Sequence, residues 1–147
     1  MRATKAILVG LGILILSTAA VGAAEYIGAT KCRMCHKVQY ESWTGLAHAK
    51  AFEQIKPGDQ GNAECLNCHA TGGSAAMPGV QCEACHGPGS DHKSMKTMKD
   101  REASVAAGLV IPDESTCESC HTGAPHAQKA FEYASAVEKG VHAHKNK

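Results

Sequence analysis

Cys32-Arg33-Met34-Cys35-His36, Cys65-Leu66-Asn67-Cys68-His69, Cys82-Glu83-Ala84-Cys85-His86 and Cys117-Glu118-Ser119-Cys120-His121 hold all 8 cysteines of this 147-residue chain. Each pair has the spacing C-x-x-C, and a histidine follows each pair at once. On a helical turn, positions i and i+3 share a face and i+4 lies beside them. Two thiols and an imidazole so placed are the attachment signature of c-type haem. The thiols form thioethers with two vinyl groups, and the histidine is the proximal iron ligand. A disulfide scaffold would also use eight cysteines in an exported chain, but it gives no reason for the histidines. Structural zinc uses both residue types, yet adjacent Cys and His crowd a single tetrahedral centre. The repetition points to four covalently bound haem c groups. They are held by Cys32, Cys35, Cys65, Cys68, Cys82, Cys85, Cys117 and Cys120, with iron on His36, His69, His86 and His121.

Composition agrees. Aromatic residues are 4% of the chain, too few for an ordinary core, although apolar residues make up 44%. Four macrocycles would fill that interior, and folding would then depend on them, as it depends on metal in small metallo-domains. Lys+Arg 15 against Asp+Glu 14, with no basic block, gives no support to nucleic-acid binding. Only 20% of residues are charged, which argues against long disorder. The expected fold is mainly α, with short helices and long loops wrapped around four haems and little or no β-sheet.

Arg2 and Lys5 precede an apolar run from Ala6 to Leu16, then small residues to Ala24. That order predicts a signal peptide over residues 1–24 and a tetrahaem domain over 25–147. An uncleaved anchor is the alternative, but the second half of the run is too weakly apolar to span a bilayer convincingly. Cleavage would leave 123 residues with a formal charge of −1. The expected location is the periplasm or the cell exterior, with no stable membrane span.

The motifs start 33, 17 and 35 residues apart. The short spacing predicts neighbouring haems on the second and third motifs, and the longer gaps have room for helices. Five histidines remain as distal ligands: His48, His92, His126, His142 and His144. His48 lies in an apolar, helical-looking segment, where an unpaired imidazole would be costly. His92 follows the turn Gly87-Pro88-Gly89-Ser90-Asp91, which releases the chain from the third haem. His126 follows Pro125. His142 and His144 lie beyond Gly140, a helix stop, and are open to solvent, to a haem of this chain or to a neighbour's haem. Met95 and Met98 are soft donors, but they read as filling against a haem face. The stretch from Ser90 to Gly108 reads as one helix capped by Ser90 or Asp91. Ala127, Ala130, Phe131, Ala134 and Val137 form a helical stripe facing the fourth haem.

Several phrases around these motifs are more specific. Tyr26-Ile27-Gly28, Gln39-Tyr40-Glu41-Ser42-Trp43, Leu46-Ala47-His48-Ala49-Lys50-Ala51-Phe52 and Val80-Gln81-Cys82-Glu83-Ala84-Cys85-His86-Gly87-Pro88-Gly89-Ser90 resemble the tetrahaem cytochrome c-554 family. The resemblance implies a helical periplasmic electron carrier with haems in stacked pairs. It also implies that His48 and His92 serve haems other than their nearest ones. By motif order it implies an open, five-coordinate iron on His69, which the histidines after the fourth motif are candidates to close.

Three functions follow as expectations. The first is electron transfer between redox partner proteins through closely packed haems, without a catalytic residue. The second is an enzyme acting on a small nitrogen compound such as nitric oxide at an open iron. The third is a subunit of a conductive homo-oligomeric filament joined through His142 or His144.

Overall fold

The structure, a computed structural model, describes residues 22–122 and 130–143. Among these the chain forms eight short α-helices. They are α1 (Ala29–Cys32), α2 (Lys37–Thr44), α3 (Ala63–His69), α4 (Cys82–His86), α5 (Met95–Met98), α6 (Arg101–Ala106), α7 (Glu114–His121) and α8 (Tyr133–Gly140). Turns of 3-10 helix cover His48–Gln54, Pro57–Asp59 and Thr71–Gly73. The β-structure among the described residues consists of isolated bridges from Ala70 to Pro78 and Gly79. The mainly α expectation therefore holds.

Local chemistry explains where helices start. Asn62 caps α3 by accepting from the Glu64 N–H, Ser94 caps α5 through Thr97, and Asp100 caps α6 through Ala103. Asp113 and Thr116 form a reciprocal capping box at α7. The single helix expected from Ser90 to Gly108 is instead two. Ser90 is engaged elsewhere: its hydroxyl bonds Asp91, and its backbone pairs with Glu25. Caps at Ser94 and Asp100 restart the chain twice. The helical stripe near the end is present from Tyr133 to Gly140, and α8 stops at the expected glycine. Ala127, His126 and His144 lie outside the described residues.

The aliphatic core is small. Ile55, Leu66 and Ala70 cluster with Phe52 and Cys65 against them, and Ala29 is buried separately. Polar joints do much of the remaining work. Thr71 has 0% exposure; its hydroxyl donates to the Gly79 carbonyl at 2.9 Å and accepts the Gln81 N–H at 2.8 Å. With Thr71 N–H on Met77 O and Gly79 N–H on His69 O, this folds the linker between α3 and α4 back on itself. Trp43 Nε1 donates to Val80 O at 2.8 Å and ties α2 to the residues leading into α4.

Both ends of the described chain are strapped across this frame. At the start, Glu25 N–H donates to Ser90 Oγ, and Ser90 N–H donates to Glu25 O. At the end, Ala143 N–H donates to Ser42 Oγ at 2.7 Å. None of the described helices is long and apolar enough to cross a membrane.

Candidate haem-attachment sites

Three of the four motifs lie wholly on helices, in α3, α4 and α7. The first straddles a junction: α1 ends at Cys32, and its last turn continues through Cys35 N–H and His36 N–H, both on Cys32 O. His36 then caps α2. Each motif thus places its histidine one turn after its first cysteine, as thioether attachment and proximal ligation require.

The thiols reveal how the motifs neighbour one another. The Cys32 and Cys82 thiols lie close enough to shift each other's pKa, as do those of Cys68 and Cys120. Cys85 lies near Cys117 and Cys120; burial first, and then those thiols, push its own pKa up to about 11. The attachment points therefore run first, third, fourth, second. The short spacing predicts neighbouring haems on the second and third motifs; among the thiols, the order is set by more than spacing. What decides instead is the folded linker at Thr71, which turns α4 toward α1 and leaves α3 to meet α7.

Two of the four motif histidines are oriented by backbone carbonyls. His69 Nδ1 lies 2.7 Å from Ala51 O, and His86 Nδ1 lies 3.2 Å from Val110 O. A carbonyl only accepts, so Nδ1 carries the proton and Nε2 keeps its lone pair for a metal. His48 shows the same arrangement, with Nδ1 3.1 Å from Gly140 O. Burial holds the pKa of both His48 and His86 below the usual histidine value. A neutral ring is what iron ligation requires.

Two of the remaining histidines face motif histidines. The His48 and His121 ring centroids are 5.9 Å apart, and those of His86 and His142 are 6.0 Å apart. Two imidazoles sharing one metal, each at a metal–nitrogen distance of about 2 Å, would have centroids about 6 Å apart. These pairs have the separation that two imidazoles would need to hold one haem iron between them. His92 is 8% exposed, and its Nδ1 is buried without a hydrogen-bond partner among the described residues. It belongs to the group around His86, whose pKa burial lowers first and to which His142, His92 and His36 then add. Met98 Sδ lies 3.4 Å from His36 Nε2, which places this soft donor beside the first motif's histidine. Phe131 stacks on His121 with centroids 4.8 Å apart, so this member of the expected stripe lies at the fourth motif, although it precedes α8 and is not helical. A hollow of about 270 Å³ is lined by Ile55, Cys65 and His69, among others, beside the second motif.

Sequence reasoning missed the residues that position these groups. Glu83, inside the third motif, is 3% exposed and accepts the N–H groups of Ile27 and Gly28 from the first strap and of Gly89 from the loop after its own motif. Gln81 Oε1 accepts the Ala29 N–H. Ser42, Thr71 and Ser90 likewise carry no signature of their own. A carboxylate in the middle of a motif, with no lysine or arginine in the flanking Val80 to Ser90, was the one available hint.

Comparison with known proteins agrees with this geometry. The family model described as "Cytochrome c554 and c-prime" matches residues 31–87, which include the first three motifs. Cytochrome c-554 of Nitrosomonas europaea is 31% identical over 136 aligned residues, covering 67% of this chain and 58% of that protein. The chain thus spans rather more than half the length of that relative. A chaperone protein DnaJ of Limosilactobacillus reuteri is 31% identical over 87 residues, covering 54% of this chain but only 22% of the chaperone. The solved structure of reduced cytochrome c554 from Nitrosomonas europaea superposes with a TM-score of 0.64 at 26% identity, covering 82% of this chain and 86% of that one. A shared fold over most of both chains, together with the attachment residues in place, shows that this chain belongs to the cytochrome c-554 family.

Proposed function

We propose that this protein is an exported tetrahaem c-type cytochrome that carries electrons between redox partner proteins. The observation that carries the reading is the placement of His48 opposite His121 and of His142 opposite His86, at the separation of two imidazoles on one iron. Haem c supplies one-electron chemistry, with a potential tuned by axial ligand, burial and hydrogen bonding. The polypeptide holds the attachment points within electrostatic reach of one another, in the order first, third, fourth, second. Cys32 to Cys82, Cys85 to Cys117 and Cys120 to Cys68 are the successive junctions. The carbonyls of Ala51, Val110 and Gly140 fix the imidazoles, so little rearrangement accompanies a change of iron charge. His92, buried with an unpartnered nitrogen, serves the haem on His36 in this reading. His126 and His144 are the remaining candidates for the haem on His69.

Export is supported by the sequence: residues 1–24 have the order of a signal peptide. The periplasm or the cell exterior is the corresponding location. His142 faces a histidine of its own chain, and Ala143 is anchored on Ser42. That favours an intrachain ligand over a filament joint.

Intact-mass spectrometry and electron paramagnetic resonance of the oxidised, haem-loaded protein test the proposal together. The expected result is a mass increased by four haems, with low-spin iron on His36, His86 and His121. A bare polypeptide from cells competent in haem attachment would overturn it. A high-spin signal that responds to nitric oxide would move the assignment to the enzymatic reading.

A further inference from the structure

Glu83 has an environment that haem attachment alone does not explain. Aspartate and glutamate are almost never fully buried unless paired, yet Glu83 is 3% exposed. Its Oε1 accepts the N–H groups of Ile27 at 2.8 Å and Gly89 at 2.7 Å, and its Oε2 accepts those of Gly28 at 2.7 Å and Ile27 at 3.1 Å. Every one of these partners is a neutral backbone donor. They satisfy a carboxylate's lone pairs without cancelling its charge. Gly89 is built for this approach: a Cβ there would lie 3.0 Å from Glu83 Oε1 and from two Ile27 carbons.

The charge acts in a definite place. The Cys32 pKa is pushed up by its hydrogen bond to Cys82, then by burial, by the Cys82 charge and by Glu83. Cys82 is held low by its bond to Cys32, with burial and Glu83 opposing. One carboxylate thus sits within electrostatic reach of the junction between the first and third attachment points.

We propose that Glu83 is a fixed counter-charge for the first and third haem sites, one that keeps their reduction potentials low while clamping residues 25–29 against the third motif. The inference rests on the four-haem reading above. Oxidised iron carries one more positive charge than reduced iron. A buried anion nearby therefore favours the oxidised state, and the effect is stronger where the effective dielectric is low. Glu83 touches no iron ligand; it is a positioning residue whose charge reaches both sites.

Spectroelectrochemical titration of the full, haem-loaded Glu83→Gln protein tests this. Two of the four midpoint potentials should rise, changing the ferrous-to-ferric ratio at a fixed potential about tenfold, or ~59 mV for one electron. Ser90→Ala is the structural control, since it releases the Glu25 N–H from the same strap and changes no charge. It should lower thermal stability and leave all four potentials in place. Potentials unmoved by Glu83→Gln, or moved equally by Ser90→Ala, would overturn the proposal. Should Glu83→Gln fail to mature, Gln81→Glu adds a carboxylate to the clamp, at the side chain that accepts the Ala29 N–H. That variant should lower the same two potentials, and no change would be equally fatal. Haem number is read by intact mass in every sample. Absent haem in the unmodified protein therefore refutes the functional reading itself, whereas four haems with unmoved potentials refute only the role of Glu83.

Discussion

Gly140, 92 residues along the chain from His48, presents its carbonyl to His48 Nδ1 at 3.1 Å. The contact ties the orientation of one candidate distal ligand to the segment that carries another, because His142 follows two residues later and faces His86. Ser42 completes the clamp by accepting the Ala143 N–H. A single C-terminal strap therefore serves the third and fourth sites together. His142→Ala should convert one iron from low to high spin and leave the His121 site as it was. Truncation after Lys139 removes the orienting carbonyl as well, and should convert two. Electron paramagnetic resonance of the oxidised proteins counts these irons, and equal loss in both variants would show that the strap does not couple the sites.

Thr71 joins the second attachment segment to the third through two hydrogen bonds of one hydroxyl, at 0% exposure. Valine has nearly the same shape but leaves the Gly79 carbonyl and the Gln81 N–H without that partner. Each buried polar group left unsatisfied costs about 1–3 kcal/mol. Thr71→Val should thus destabilise the haem-loaded protein by about 2 kcal/mol or more, whereas Thr71→Ser keeps both bonds and should lose less. Denaturant unfolding followed by far-ultraviolet circular dichroism measures the difference.

The helical class and the four candidate attachment motifs were legible in the sequence because each C-x-x-C-H motif is local: five residues on one turn contain the whole signal. His48 was legible for a related reason, as an imidazole in an apolar segment. The neighbour order of the motifs was not. It depends on the linker from Ala70 to Gln81 folding back through Thr71 and Gly79, which spacing does not encode. The split between α5 and α6 was hidden in the same way. Ser90 has the chemistry of a helix cap, but the distant Glu25 takes its hydroxyl and its backbone, and the helices start at Ser94 and Asp100 instead. Glu83 escaped because its partners are backbone N–H groups far along the chain, and no side-chain pattern announces them.

Gly79 adopts φ 81°, and a Cβ there would lie 2.6 Å from the Ala49 carbonyl oxygen. Alanine would suffer both the left-handed backbone cost and a clash with backbone that has no side-chain freedom to yield. The neighbouring Val80 N–H donates to His48 O at 2.9 Å, so the displaced backbone is the one that carries His48. Gly79→Ala should lower stability by about 2 kcal/mol, in the range of such strained positions. It should also reduce the low-spin fraction at the fourth site. Alanine at the open position Gly58, where a Cβ would meet nothing within 4 Å, should leave that fraction unchanged.

Asp113 gives the fourth motif its acid sensitivity. Its carboxylate accepts from the Ser115 hydroxyl and from the Thr116 N–H and hydroxyl at the start of α7, which ends in His121. Those bonds, the Ser115 one foremost, hold its pKa below the usual carboxylate value of 3.8. A depressed folded-state pKa means that the unfolded chain takes up the proton first as acid is added. The contribution of the cap is therefore whole above pH 3.8 and is lost as pH falls through the lower folded value. Asp113→Asn keeps an acceptor for the Thr116 N–H but has no charge to titrate. Its melting temperature should follow that of the unmodified protein at pH 6 less a small constant, and the gap should narrow as the pH is lowered to 3. Asp113→Ala loses the cap at every pH and should melt lower than either at pH 6. Thermal melts of the three haem-loaded proteins at both pH values provide the comparison, and a gap that widens in acid would contradict the assignment of this cap.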